Sequence, residues 1–172
     1  MGDRELTFRT IDLSRDAQRC IAFSRDAQVC ALGNDQRFVA VNGADGQGYL
    51  RWLAGRIAQF PRGHVHAFRG DEIVGQIELI VPAAFAPASG YVNLFYLVPE
   101  QRGARLGDAL HDYTLELARE HGARVLRLTV AQRNHPAWRF YERHGWHNLG
   151  QKPDQGDGIH EFTFERSLQS QT

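Results

Sequence analysis

Lysine is all but missing from this 172-residue chain: Lys152 is the one lysine among 20 basic residues. The remaining basic residues are arginines, and 20 acidic residues bring the formal net charge to zero. No basic run is long enough to serve as a nucleic-acid arm or to hold an anionic membrane, so neither partner is expected. The skew toward arginine reads as compositional. Cysteine is scarce as well, with Cys20 and Cys30 alone. Two cysteines make no disulfide framework, and they read as small apolar side chains in a reducing compartment. No apolar run is long enough to cross a bilayer. The first residues are polar and lack the apolar core of a signal peptide, and Leu6 stands where a myristoylation signal carries Ser or Thr. A cytoplasmic protein is the expectation. Histidine occurs eight times but without metal-site spacing. His64 and His66 lie two apart on one strand face, no third ligand follows at a recognisable interval, and no metal is expected.

What is present suits a globular domain. Hydrophobic residues make up 42% and charged residues 23%, enough to build one core, and residues 1–172 read as a single domain. Residues 5–12 read as a strand. Ser14-Arg-Asp-Ala-Gln18 then recurs as Ser24-Arg-Asp-Ala-Gln28, each copy followed two residues on by cysteine. A serine at the head of each copy suits a helix cap, so two short helices ending near Gly33 are expected. Residues 42–48 read as a loop, and Tyr49, Leu50, Leu53, Ile57 and Phe60 follow helical spacing up to Pro61. A strand around Val65 and Ala67, a tight turn at Arg69-Gly70-Asp71-Glu72 and a returning strand over 73–81 make a hairpin. In that setting the Arg-Gly-Asp triplet is a turn and not an adhesion motif. After a small-residue loop over 82–90 come a strand over 91–98, a helix from Gly107 to about His121 and a strand over 124–130. A short helix capped by Asn134 and a last strand over 158–166 complete the pattern. The result is a layered α/β (α+β) domain, a mixed sheet with helices on its faces.

The most informative stretch is Leu97-Val-Pro-Glu-Gln-Arg-Gly-Ala-Arg-Leu-Gly107, where a strand runs through a glycine-containing loop into a helix. A loop ending at a helix N-terminus points several free N–H groups at one spot, and the helix dipole makes that spot positive. A diphosphate suits it, and Gly103 and Gly107 let a ligand approach the backbone. An ordinary strand-to-helix turn is the plainer reading of the loop alone. Downstream stands Asn134-His-Pro-Ala-Trp-Arg-Phe-Tyr141-Glu-Arg-His-Gly145-Trp146.

In order and separation the two segments resemble the cofactor half of a GNAT acyltransferase. That superfamily carries Arg/Gln-x-x-Gly-x-Gly/Ala in its diphosphate loop, met here at Arg102 and Gly107, with Arg105 where the first glycine usually sits. It carries Asn-x-x-Ala-x-x-Phe/Leu-Tyr-x-x-x-Gly-Phe in the later helix, met at Asn134, Ala137, Phe140, Tyr141 and Gly145, with Trp146 in place of Phe. The resemblance covers residues 63–150 well and the N-terminal third loosely. It implies a mostly antiparallel sheet of six to seven strands, splayed in the middle, with helices on both faces. It implies acetyl-CoA as cosubstrate, and acetyl transfer to a primary amine by direct attack in a ternary complex. The cofactor residues it implies are Leu97, Val98, Arg102, Gly103, Ala104, Arg105, Leu106, Gly107, Asp108, Asn134 and Tyr141. The Arg105 side chain is expected to be tolerated with φ negative, its charge adding a contact to a phosphate. The main chain near Leu97 and Val98 is implied to pair with the pantetheine amides, with the Val98 N–H as oxyanion donor.

Acyl transfer to an amine needs a base, an oxyanion donor and an acid for the leaving thiolate. Glu78 is the candidate base. It lies with Gln76 on one face of the apolar strand Ile73–Val81, where partial desolvation raises a carboxylate's proton affinity. A structural ion pair or a solvent-facing position is the plain alternative, and Glu100, in an exposed loop, is a weaker base. Tyr141 is the candidate acid, by its match to the family tyrosine near the sulfur; without that match it reads as packing. Tyr49, Trp52, Phe85, Tyr91 and Phe95, with His64 or His66, are candidates to line an acceptor pocket. The acceptor is expected to be a small-molecule or protein amine, and a homodimer is compatible with the reading. Two alternatives remain. One is a non-catalytic acyl-CoA-binding sensor or regulatory domain. The other is an unrelated nucleotide-binding protein, whose Lys-Ser/Thr phosphate-loop ending is missing here.

Overall fold

A computed structural model of the chain describes residues 5–81, 88–103 and 105–169. Seven strands form one sheet in the order β1-β2-β3-β4-β5-β7-β6. In chain order they are β1 (Leu6–Thr10), β2 (His64–Arg69), β3 (Glu72–Ile80), β4 (Ser89–Leu97), β5 (Val125–Ala131), β6 (His147–Gln151) and β7 (Glu161–Ser167). All neighbours run antiparallel except β4 and β5. The helices are α1 (Leu13–Leu32), α2 (Gln36–Asn42), α3 (Gln47–Gln59), α4 (Leu106–Glu120) and α5 (His135–Arg143). No helix among the described residues is long and apolar enough to cross a membrane.

The mixed, mostly antiparallel sheet matches the expectation, and three local readings are corrected. The two short helices expected over the Ser-Arg-Asp-Ala-Gln copies are one 20-residue helix, α1, capped at Asp12, whose carboxylate accepts from the Ser14 N–H, and closed at Gly33 with φ +84°. Ser24 needs no cap, because Ala22, Phe23 and Ala27 carry helical propensity straight through it. Copies ten residues apart are turned by roughly 80° about a helix axis. The turn explains why Cys20 is fully buried while Cys30 is exposed. Helix α2 and strand β6 were not expected. Strand β6 carries a fully exposed pattern, so no apolar alternation marks it, and α2 buries Phe38 alone. The Arg69–Glu72 turn is confirmed, with Gly70 at φ +61° joining β2 to β3.

The two faces of the sheet have different chemistry. Toward α4 and α5, strands β2 and β3 present Val65, Ala67, Ile77 and Leu79 to a core that includes Leu110, Leu117, Leu126 and Phe164. Toward α1–α3, under a smaller core of Ile11, Cys20, Ile21, Phe38, Tyr49 and Leu53, the same strands carry four polar residues. His64 pairs with Glu78 and His66 with Gln76 across the ladder, so all four share that face, and none is more than 1% exposed.

Two glycines give opposite expectations for unfolding experiments. A Cβ at Gly75 would stand 2.5 Å from the Tyr96 carbonyl oxygen, which cannot move aside. Gly75→Ala is expected to cost roughly 1–3 kcal/mol in urea or thermal unfolding. Gly55, inside α3, has nothing within 4 Å of its missing Cβ, and Gly55→Ala is expected to raise stability by about 0.5–1 kcal/mol.

Candidate active site

The sheet opens at β4 and β5. The two strands pair in parallel only through Ser89↔Val125, Gly90↔Leu126 and Tyr91↔Arg127, and the Tyr91 hydroxyl donates to Thr129 Oγ1 at 2.9 Å just beyond. Past this clasp they part around a cleft of about 340 Å³ lined by α1, β4, β5, Glu78, Asn134, Ala137 and Tyr141. A larger surface groove of about 930 Å³ beside β1 and the start of α1 contains neither candidate catalytic residue.

Ladder parity decides which backbone groups face the cleft. The Val98 N–H donates to Val74 O at 2.9 Å, and Tyr96 and Leu94 sit in the same register opposite Gln76 and Glu78. Alternate residues of a strand turn to opposite edges, so Phe95 and Leu97 direct their N–H groups into the gap. This corrects the expectation for Val98, whose N–H is already spent on the neighbouring strand. The Leu97 carbonyl accepts from Arg102 Nε at 2.9 Å, and its N–H is left facing the cleft.

Glu78 sits on the cleft side of β3, 1% exposed. Its Oε1 accepts from the Tyr49 hydroxyl in a short hydrogen bond and from Gln76 Nε2 at 2.9 Å. Its Oε2 accepts from Asn93 Nδ2 at 2.8 Å. Asn93 reaches it because the β3–β4 register shifts between Glu78 and Leu79, leaving Asn93 as the extra residue of a bulge. Gln76 Nε2 also donates to the Tyr49 hydroxyl at 2.9 Å, and its Oε1 lies 3.0 Å from His66 Nε2. Burial holds the Glu78 carboxyl above its ordinary range, and the three donors offset only part of that rise. Burial, and then the Glu78 charge, hold the Tyr49 phenol protonated well above its usual range. Burial lowers both His66 and His64, so both imidazoles are neutral near pH 7. His64 Nδ1 donates to Phe60 O at 2.9 Å. His64 and His66 are therefore buried structural side chains outside the cleft lining, and Glu100 lies exposed on the surface turn Pro99–Gln101.

The 97–107 loop, expected to hold a diphosphate, departs from expectation in four places. Arg105 has φ +61° and stands as the left-handed N-cap of α4, where φ was expected to be negative. The backbone takes the turn a glycine would take, and the arginine bears the strain. Arg102 does not point at the loop's ligand side. Its guanidinium is held by Leu97 O, by Asp26 Oδ2 at 3.1 Å and by Cys30 Sγ at 3.3 Å, above the Tyr96 ring. The Asp108 N–H closes a tight turn onto Arg105 O at 3.2 Å, and its carboxylate pairs with His144 Nε2 at 2.9 Å. Gly107 is explained by packing, since a Cβ there would meet the Phe140 ring at 3.0 Å. Among the described residues the N–H groups of Gly103, Arg105, Leu106 and Gly107 find no acceptor, and they form an anion-seeking cluster at the mouth of α4. Ala104 and Phe85 lie outside the described residues.

On α5, Asn134 caps the helix through Oδ1, which accepts from the Ala137 N–H at 3.4 Å, and it also lines the cleft. Tyr141 is buried, and loss of solvent alone raises its hydroxyl well above the ordinary phenol range. Its hydroxyl makes no hydrogen bond among the described residues. Of the aromatics expected near an acceptor, Tyr91 and Phe95 line the cleft, Tyr49 holds Glu78 and Trp52 packs against Tyr49 and His64. The sequence reading missed Gln76 and Asn93 as partners of Glu78. The available signal was their polarity within otherwise apolar strands.

The chain belongs to the acetyltransferase (GNAT) family, whose family model matches residues 27–146. No curated protein matches it. Among solved structures it is similar to Ard1 from Thermoplasma volcanium, 19% identical, covering 95% of this chain and 98% of that one with TM-score 0.73. It is similar to yncA from Salmonella typhimurium with its cofactor acetyl-CoA, 18% identical over 98% and 96% of the two chains, TM-score 0.70. It is also similar to the PaiA N-acetyltransferase from Thermoplasma acidophilum in complex with coenzyme A, 18% identical over 95% and 99%, TM-score 0.71. At these identities the likeness is one of fold.

The strained cap gives a direct expectation. Arg105→Gly removes the left-handed penalty and is expected to raise unfolding free energy by about 0.5–1 kcal/mol, read by urea denaturation.

Proposed function

We propose that the protein transfers the acetyl group of acetyl-CoA to a primary amine by direct attack in a ternary complex, with Glu78 as general base and Tyr141 as general acid. The observation that carries this reading is that one cleft, at the parting of β4 and β5, is lined by both side chains. The fit to the cosubstrate is supported by the unfilled N–H groups of Gly103, Arg105, Leu106 and Gly107, which suit a diphosphate. The Phe95 and Leu97 backbone edge suits an extended amide-bearing arm, and the Asn134 side chain stands beside it. The Arg105 side chain is free to add charge at the loop, whereas Arg102 is tied to α1.

Each group has one task. Glu78 Oε2 carries a single donor and retains a lone pair for the ammonium proton of the acceptor. Its raised proton affinity suits a base near neutral pH. As the nitrogen forms its bond to the acetyl carbon, negative charge gathers on the carbonyl oxygen, and the inward N–H groups of Phe95 and Leu97 are the donors available to hold it. As the carbon–sulfur bond breaks, the Tyr141 hydroxyl supplies the proton that the departing thiolate needs. Its high proton affinity keeps that proton in place until sulfur takes on charge. The second proton that the nitrogen sheds as the amide forms restores the Tyr141 phenol, and Glu78 returns its own proton to solvent.

The first experiment is a thermal melt with acetyl-CoA, dephospho-CoA and ATP. Acetyl-CoA at about 100 times its Kd is expected to add roughly 2.7 kcal/mol of apparent stability, and no shift with any of the three would sink the reading. Glu78→Gln is expected to lower kcat by about 10²–10⁴-fold while sparing acetyl-CoA affinity. Its sign with pH is fixed: the base works ionised, so wild-type kcat/KM falls as pH drops through a value above the ordinary glutamate range. Glu78→Gln should lose that acid limb. Tyr141→Phe is expected to slow thiolate release, and kcat unchanged across the pH range would assign the proton to water.

A further inference from the structure

Gln28 is an unexplained polar group in the cleft. It lies on α1 among the apolar lining residues Ala27, Ala31 and Leu32. Its side-chain oxygen Oε1 is buried and accepts no hydrogen bond among the described residues. A buried amide oxygen without a donor is destabilising, and an apolar side chain of the same shape would remove that cost. A ligand that brings its own donor would satisfy it.

The remainder of the cleft asks for the same thing. Glu78 lines it and accepts a single donor on Oε2. Arg37 is the one basic side chain among its described lining residues. It is already held by Asp157 at 2.6 Å and Glu161 at 2.8 Å. The cavity thus offers hydrogen-bond acceptors, the open positions on Gln28 Oε1 and Glu78 Oε2 among them, and no free cation. A carboxylate or phosphate group finds no counter-charge there. A hydroxyl or thiol has one proton and can satisfy one acceptor. A primary ammonium has three.

We propose that Gln28 Oε1 holds one N–H of the acceptor's primary ammonium while Glu78 takes another of its protons, so that Gln28 selects primary amines over alcohols and thiols. This rests on the acetyl-transfer reading and names the residue that anchors its acceptor. After one proton has passed to Glu78, the neutral amine still has two. Donating one to Gln28 fixes the nitrogen's orientation, which aims its lone pair at the acetyl carbon. A neutral amide serves better here than a second carboxylate, because it holds the N–H without raising the amine's proton affinity further.

The test compares wild type, Gln28→Leu and Gln28→Glu. CoA release is followed with acetyl-CoA and n-butylamine, L-alaninamide or spermidine, with n-butanol as control, and melting temperature is measured for each protein. Wild type is expected to turn over an amine and leave butanol untouched. Gln28→Leu is expected to raise the amine KM about tenfold or more, the loss of one hydrogen bond to a charged donor. Its KM for acetyl-CoA should stay unchanged and its melting temperature equal or higher, because the unpaired oxygen is gone. Gln28→Glu keeps an acceptor and should retain an amine KM within about threefold of wild type. An unchanged amine KM in Gln28→Leu overturns the proposal, as does a lower melting temperature with equal losses toward both substrates, which would make Gln28 structural. If acetyl-CoA stabilises wild type but no amine releases CoA, acetyl transfer to amines falls and this proposal falls with it.

Discussion

Once β4 and β5 separate beyond Tyr91 and Arg127, the backbone groups of Phe95 and Leu97 lose the strand partner that a continuous sheet would supply. A buried backbone group left unpaired costs about 1–3 kcal/mol, so a sheet interrupted in its centre persists only if something else meets those groups. The surrounding structure is arranged around that need. The Tyr91–Thr129 hydrogen bond closes one end of the gap. Arg102 caps the Leu97 carbonyl at the other. Between them stay the N–H groups that an extended ligand can satisfy.

The second constraint follows from placing a carboxylate beside that gap. Glu78 is deprived of water, which raises its proton affinity, yet three side chains donate to it. The balance suits the role of base proposed for it. The same partners fix its position, because Tyr49 comes from α3, Gln76 from β3 and Asn93 from the β4 bulge. The polar layer of His64, His66, Gln76 and Glu78 is therefore not a flaw in the core. Through Gln76, and His66 beside it, the layer supports one carboxylate, roofed by α1 and α3.

How much of this could be read from residues alone depended on whether the signal was local. The β4–loop–α4 segment and the α5 cap were legible, because Pro99, Gly103, Asn134 and Gly145 act on their own neighbours. The alternation of Ile77 and Leu79 against Gln76 and Glu78 correctly put the two polar residues on one face. Ladder parity was not legible. Whether Val98 or Leu97 turns its N–H to the cleft depends on a bulge at Asn93 and on the partner strand. The direction of Arg102 was hidden for a related reason: Asp26 and Cys30 are far from it in sequence and reach it only because α1 runs as one helix. At Arg105 the motif asked for glycine, and the backbone followed the motif in spite of the side chain.

Lys152 Nζ stands 3.6 Å from Glu161 Oε2, and Lys152 is the chain's one lysine. Guanidinium groups are not nucleophiles at neutral pH, because their proton is held far above it. A surface whose positive charge is arginine keeps the solubility that basic residues give without presenting amines. For a member of a family that moves acetyl groups, the composition has a chemical meaning. The one side-chain ammonium in these 172 residues is paired with a carboxylate, so under the acetyl-transfer proposal the surface offers almost no amine that would compete with an acceptor.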